Sequence, residues 1–126
     1  MGTGTHWEEI AGYARAVRVG DRIWVAGTTA TGTDGVVGAG DPEAQARFIL
    51  DKIEAALRQL GGSLRDVVRT RVYVSDLAHW EPVARVHGAY FGSIRPVNTL
   101  VQAGLVGEGY LVEIEAEAVL GAGDAL

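Results

Sequence analysis

The chain contains no cysteine. That single absence removes disulfides, thiolate zinc sites and a cysteine nucleophile. Lysine is almost missing too: Lys52 is the only one among eleven basic residues, and sixteen acidic residues leave a net charge of −5. A nucleic-acid footprint draws its affinity from clustered Lys and Arg, so no nucleic-acid partner is expected. No apolar run approaches the roughly 20 residues needed to cross a bilayer, so no membrane partner is expected either. Residues 1–6 carry neither the basic nor the apolar stretch of a secretory leader, which makes the cytoplasm the expected location.

What is present suits one small core. A chain of 126 residues is about one domain long, and no repeat or linker-like composition divides it. Residues 1–126 are therefore read as a single domain, with an N-terminal tail at 1–11 and a C-terminal tail at 121–126.

Alternation on either side of Gly20-Asp21, from Arg15 to Ala26, predicts a β-hairpin with a tight primed turn. It is expected to put Val17, Val19, Ile23 and Val25 on one apolar face. The Gly- and Thr-rich stretch from Thr28 to Gly40 reads as a loop. Asp41-Pro42-Glu43 offers an N-cap carboxylate, a proline at the first helical position and an acid in the first turn. Ala46, Ile49, Leu50, Ile53, Ala56, Leu57 and Leu60 then recur at helical spacing until Gly61-Gly62. A strand is expected over Asp66 to Ser75, with Val68, Thr70, Val72 and Val74 on one face and Arg69, Arg71 and Tyr73 on the other. A second helix follows from about Trp80 to Phe91, its stripe made of Trp80, Val83, Ala84, His87, Tyr90 and Phe91. After Arg95-Pro96, strands at Asn98 to Ala103 and Tyr110 to Leu120 complete the order β-β-α-β-α-β-β. That order implies an α+β fold: a mostly antiparallel sheet with both helices on one face.

The last strand alternates Val112, Ile114, Ala116 and Ala118 with Glu113, Glu115 and Glu117. Three carboxylates in a row repel one another, and the strand bearing Arg69 and Arg71 has the complementary charges. Side by side, the two strands would set guanidinium against carboxylate. Such a face is either solvated or closed against another subunit. The three histidines, His6, His79 and His87, form no metal-ligand set, and His87 falls on the apolar stripe as a core or interface imidazole.

Gly12-Tyr13 with Ala16-Val17, Val25-Ala-Gly27, the helix from Asp41, the run from Asp66 to Asp76, Tyr90-Phe91-Gly92, Arg95-Pro96 and Val112-Glu-Ile-Glu-Ala116 follow one another in the order of the Rid family (YjgF/RidA, reactive-intermediate deaminases). The chain resembles that family over about Gly12 to Val119. The resemblance implies a chorismate-mutase-like fold and a homotrimer with small-molecule clefts between subunits. No cofactor and no metal is implied. In the best-known branch, an arginine grips the carboxylate of an amino-acid-derived enamine or imine, and water releases ammonia and a 2-keto acid.

Residue by residue, Tyr13 and Glu113 match the family's catalytic positions. Gly27 matches a backbone turn of the ligand site, while Ala26 and Thr28 replace its usual serine and glutamine. The arginine falls on Asn98, followed by Thr99, and Leu100 takes the place of a small or thiol-bearing residue. Asn98, Thr99, Gly27, Thr28, Leu100 and Ala84 are thus the expected ligand-binding residues, with Glu113 and Tyr13 expected to be catalytic. An asparagine offers neutral donors where a charged fork is usual. A cleft lined by Asn98, Thr99, Thr28 and Thr29 would favour a less anionic ligand. The expected function is therefore a hydrolase or deaminase of enamines, imines or related nitrogen-containing intermediates, with altered substrate choice. The alternative is a non-catalytic trimer that binds a small ligand or regulates.

Overall fold

A computed structural model describes Gly2 and residues 6–124. The expectations for residues 1 and 3–5, and for the last two residues of the C-terminal tail, lie outside the described residues. The elements are α1 (His6–Ala11), β1 (Ala16–Val19), β2 (Arg22–Thr29), β3 (Thr31–Gly32), β4 (Gly35–Val36), α2 (Pro42–Gln59), β5 (Val67–Val74), α3 (Trp80–Phe91), β6 (Val97–Gln102) and β7 (Val112–Val119). Five strands form one sheet in the order β1-β2-β7-β5-β6. The β1–β2, β2–β7 and β7–β5 pairs are antiparallel, while β5 and β6, joined through α3, are parallel. The fold is the expected α+β arrangement, with a mostly antiparallel sheet.

The central strand is β7, because its alternation gives it one wholly apolar face. Val112, Ile114, Ala116 and Ala118 are buried against Ile49, Leu50, Ile53 and Leu57 of α2 and Val83, Val86 and Phe91 of α3. Each fully buried large aliphatic side chain contributes about 1.5–3 kcal/mol. The helix that supplies four of them, α2, is well bounded. Asp41 accepts a hydrogen bond from the Ala44 amide at 3.1 Å, and Pro42 opens the first turn. At the other end, Gly61 has φ 91°, and the amides of Gly61 and Gly62 reach back to the carbonyls of Arg58 and Leu57. This crossed pair satisfies two terminal carbonyls.

Several local expectations change. The hairpin turn has only two residues, so Val19 faces Arg22 and Val17 faces Trp24. Directly opposed residues share a face. Val17, Val19 and Trp24 are therefore exposed on the outer side, while Ile23 and Val25 are buried. In β5 an extra residue stands between Val67 and Arg69; it turns Val68 outward and leaves Val67 in the core. Trp80 is exposed, and Val86 takes a place in the core of α3. The loop expected from Thr28 to Gly40 holds the end of β2 and the short β3–β4 hairpin. Part of the expected N-terminal tail is the helix α1, and the described part of the C-terminal tail makes a 3-10 turn at Ala122–Asp124.

Opposite the helices, Arg69 faces Glu117, Arg71 faces Glu115 and Tyr73 faces Glu113. Arg69 lies 3.9 Å from Glu117, and Arg71 lies 3.7 Å from Glu115 and 3.9 Å from Glu117. Tyr73 donates its hydroxyl to Glu115. The cross-strand pairing relieves the carboxylate repulsion, at the modest value of partly exposed ion pairs.

Candidate functional site

The site residues are set by a bulge in β2. Val25 faces Ala116 and Thr28 faces Ile114, so Ala26 and Gly27 together oppose the single residue Glu115. Bulges of this kind re-aim side chains next to them. Beyond it, Thr28 points into the core and Thr29 lies beside Glu113 on the outer face. Gly27 is where the carboxylate of Glu113 comes closest: a Cβ there would overlap Glu113 Oε2. The absence of a side chain makes room for the acid.

Glu113 is half-buried. Its pKa is raised above the ordinary glutamate value, chiefly because burial strips water from the carboxylate; Arg15 opposes the shift and Glu115 reinforces it. A carboxyl so placed holds its proton nearer to neutrality than an exposed one.

Arg15 lies just before β1. Its Nη2 donates to the Gly27 carbonyl at 3.0 Å and to Thr28 Oγ1 at 2.7 Å, and its guanidinium carbon lies 5.9 Å from the centre of the Tyr13 ring. Thr28 in turn donates to the Ala26 carbonyl. Lys52 approaches from α2, with Nζ 3.2 Å from the Thr31 carbonyl and 3.5 Å from that of Thr29. Its pKa is lowered, first by burial and then by Arg15. A chain of hydroxyls, Thr29 to Thr31 to Tyr110, continues outward at 2.9 and 2.8 Å.

Tyr13, Gly27, Thr28 and Glu113 thus fall in one corner. Asn98, Thr99, Leu100 and Ala84 do not. Asn98 is exposed on the edge strand β6, opposite Thr70 of β5, and therefore on the helix side of the sheet. Its Nδ2 donates to Thr70 Oγ1 at 3.0 Å, and Thr70 Oγ1 lies 2.8 Å from His87 Nε2. Leu100 packs against the core, Ala84 is half-buried on α3, and Thr99 lies on the outer face. Between Asn98 and Glu113 stand two strand spacings, roughly 10 Å, and the thickness of the sheet.

Sequence reasoning missed Arg15, Lys52 and Thr70. Arg15 could have been flagged as a charged residue two places after Tyr13, yet its aim depends on the bulge. The neutral lining expected around Thr28 and Thr29 in fact includes a guanidinium. With a proton-holding carboxyl, a fixed cation and a phenol beside one glycine, the corner can orient a small polar molecule and exchange a proton with it. On the outer face, a concavity of about 220 Å³ runs past Val17, Trp24, Arg69, Arg71 and Glu117; Glu113 is not among the residues that line it.

The family model described as Endoribonuclease L-PSP matches residues 3–120. An uncharacterized protein of Streptomyces coelicolor is 41% identical over 98% of this chain and 92% of its own length. The 3-aminoacrylate deaminase RutC of Acinetobacter baylyi is 34% identical over 86% of this chain and 87% of its own. Among solved structures, a Mycobacterium tuberculosis member of the YjgF/YER057c/UK114 family superposes with a TM-score of 0.86 at 46% identity, covering 95% of this chain and 97% of that one. The YjgF gene product of Escherichia coli gives 0.77 at 30% identity, covering 85% and 87%.

Proposed function

The chain belongs to the YjgF/RidA (Rid) family, and from that premise we propose that it hydrolyses small enamines or imines in clefts shared between the chains of a homotrimer. The observation that carries this reading is the desolvated carboxyl of Glu113 against Gly27, with Tyr13 and Arg15 alongside. A relative named as a 3-aminoacrylate deaminase supports the substrate class.

The chemistry requires one water and one proton relay. Water adds to the carbon of C=N while the nitrogen takes a proton; the resulting carbinolamine then collapses to a C=O group and ammonia. An enamine first gains a proton on carbon to become the imine. Glu113, protonated, can supply the proton to nitrogen and then draw one from the adding water. The Tyr13 hydroxyl can orient either.

The trimer is proposed because the corner at Glu113 and the edge at Asn98 lie too far apart within one chain to line one cleft. A neighbouring chain can bring its Asn98, Thr99, Leu100 and Ala84 to the Glu113 corner. Exposed Val17, Trp24, Val97 and Val101 give the outer face apolar surface to close. Substrate choice is altered, on this reading, because Asn98 stands where an arginine is usual. One observation favours the competing reading of a trimer that binds without turnover: the Asn98 amide already donates to Thr70.

Ammonia release from freshly generated 2-iminobutyrate and from 3-aminoacrylate tests the proposal. Acceleration over buffer is expected, with a loss of about 10²–10⁴-fold in Glu113→Gln. No acceleration with either substrate would defeat the hydrolase reading and leave the binding one.

A further inference from the structure

We propose that Arg15 is the residue that grips a carboxylate in this site, so that the preferred ligand is a small anionic 2-imino or 2-oxo acid. The inference rests on the hydrolase reading for its substrate class, and it reverses the expectation of a neutral lining. The geometry is what carries it. Arg15 and Glu113 border the same residue from two sides: the guanidinium through the Gly27 carbonyl at 3.0 Å, the carboxyl over the Gly27 Cα. In a 2-imino acid the carboxylate and the C=N carbon are adjacent atoms. Arg15 is near enough for its charge to act on Glu113, so a ligand beside Gly27 with its carboxylate toward Arg15 would have its C=N carbon directed toward Glu113.

Arg15 is also held and only partly used. Its Nη2 is fixed by Gly27 and Thr28 Oγ1, whereas Nε and Nη1 have no acceptor among the described residues. Nor does Arg15 form an ion pair with Glu113 within 4.0 Å, although its charge acts on that carboxyl. A guanidinium positioned by two hydrogen bonds, with free donors on its other edge, suits a carboxylate. Lys52, bound to the carbonyls of Thr29 and Thr31, adds a second positive charge to the same corner. In a chain of net charge −5, these two cations are the local groups that can offset the overall repulsion of an anion.

The test is a pair of isosteres binding to the full-length protein by calorimetry: 2-oxobutyrate and its uncharged amide, 2-oxobutanamide. Wild type should bind the acid more tightly than the amide by roughly 10- to 100-fold. Arg15→Gln should remove that preference, read as the ratio of acid to amide affinity within the variant, and Arg15→Lys should restore part of it. Equal affinity of wild type for acid and amide overturns the proposal, as does an undiminished preference in Arg15→Gln. Should Arg15→Gln fail to fold, the wild-type comparison and Arg15→Lys still decide: a Lys variant with the full preference of wild type would mean that the fork geometry of Arg15 is not what is read. Preference for the acid without ammonia release would sink the hydrolase reading alone.

Discussion

Gly27 has empty space where any other residue would carry a Cβ, and Glu113 occupies it. Gly27→Ala should therefore move the carboxylate, not the backbone, since the atom that must yield is the end of a flexible side chain. Ammonia release is expected to fall at least tenfold, while the urea midpoint shifts little; a fully active alanine variant would show that the close approach is irrelevant. His87 offers a second test. Burial lowers its pKa below the ordinary value of 6.5, so the unfolded chain takes up a proton before the folded chain does. Stability is then unaffected above about pH 6.5 and declines as pH falls from there toward the lowered folded value. Urea midpoints across that window should show the decline, and His87→Gln should flatten it. Tyr13 and Glu113 could be named from the sequence because each matches a family position. Arg15 could not, because its aim is fixed by Gly27 and Thr28, twelve and thirteen residues away along the chain.

Among the elements, α2 was the most legible, since its apolar spacing, its Asp41 cap and its closing glycines agree. Asp41→Ala should cost about 1 kcal/mol of unfolding free energy. Gly61→Ala should cost a similar or larger amount, roughly 1–2 kcal/mol, because φ 91° is a left-handed conformation that a Cβ resists. Chemical denaturation measures both, and a neutral Gly61→Ala would contradict the cap geometry. The strands were legible in existence but not in facing. Alternation holds throughout β7, because the extra residues lie in its neighbours, in β2 opposite Glu115 and in β5 between the partners of Ala118 and Glu117. It breaks at Val68 and at Ala26-Gly27, where one added residue reverses which side chains see the core. The β3–β4 hairpin, two residues per strand, is too short to show a period at all.

The whole molecule presents a sheet with one face covered by helices and the other carrying paired charges beside exposed Val17, Trp24, Val97 and Val101. Val97→Asp, on the edge strand and away from Glu113, should shift sedimentation from trimer toward monomer and lower ammonia release with it. An assembled and active variant would remove Val97 from the interface; a wild type that sediments as a monomer would remove the shared cleft. The fold itself followed from the order of the elements, whereas no sequence pattern could tell a solvated charged face from one shut against a neighbour. The single supernumerary residue in β2 sets the phase of everything downstream of it. Were Ala26 and Gly27 to pair one-to-one instead of sharing Glu115, Gly27 would face Ile114, Thr28 would turn outward with its grip on Arg15 undone, and Thr29 would turn inward. A one-residue deletion there would straighten the ladder and keep Thr28 opposite Ile114, but it would remove the widened backbone at Ala26-Gly27 that offers Arg15 a carbonyl and Glu113 a place without a Cβ, making the length of this strand, more than its composition, the variable on which the site depends.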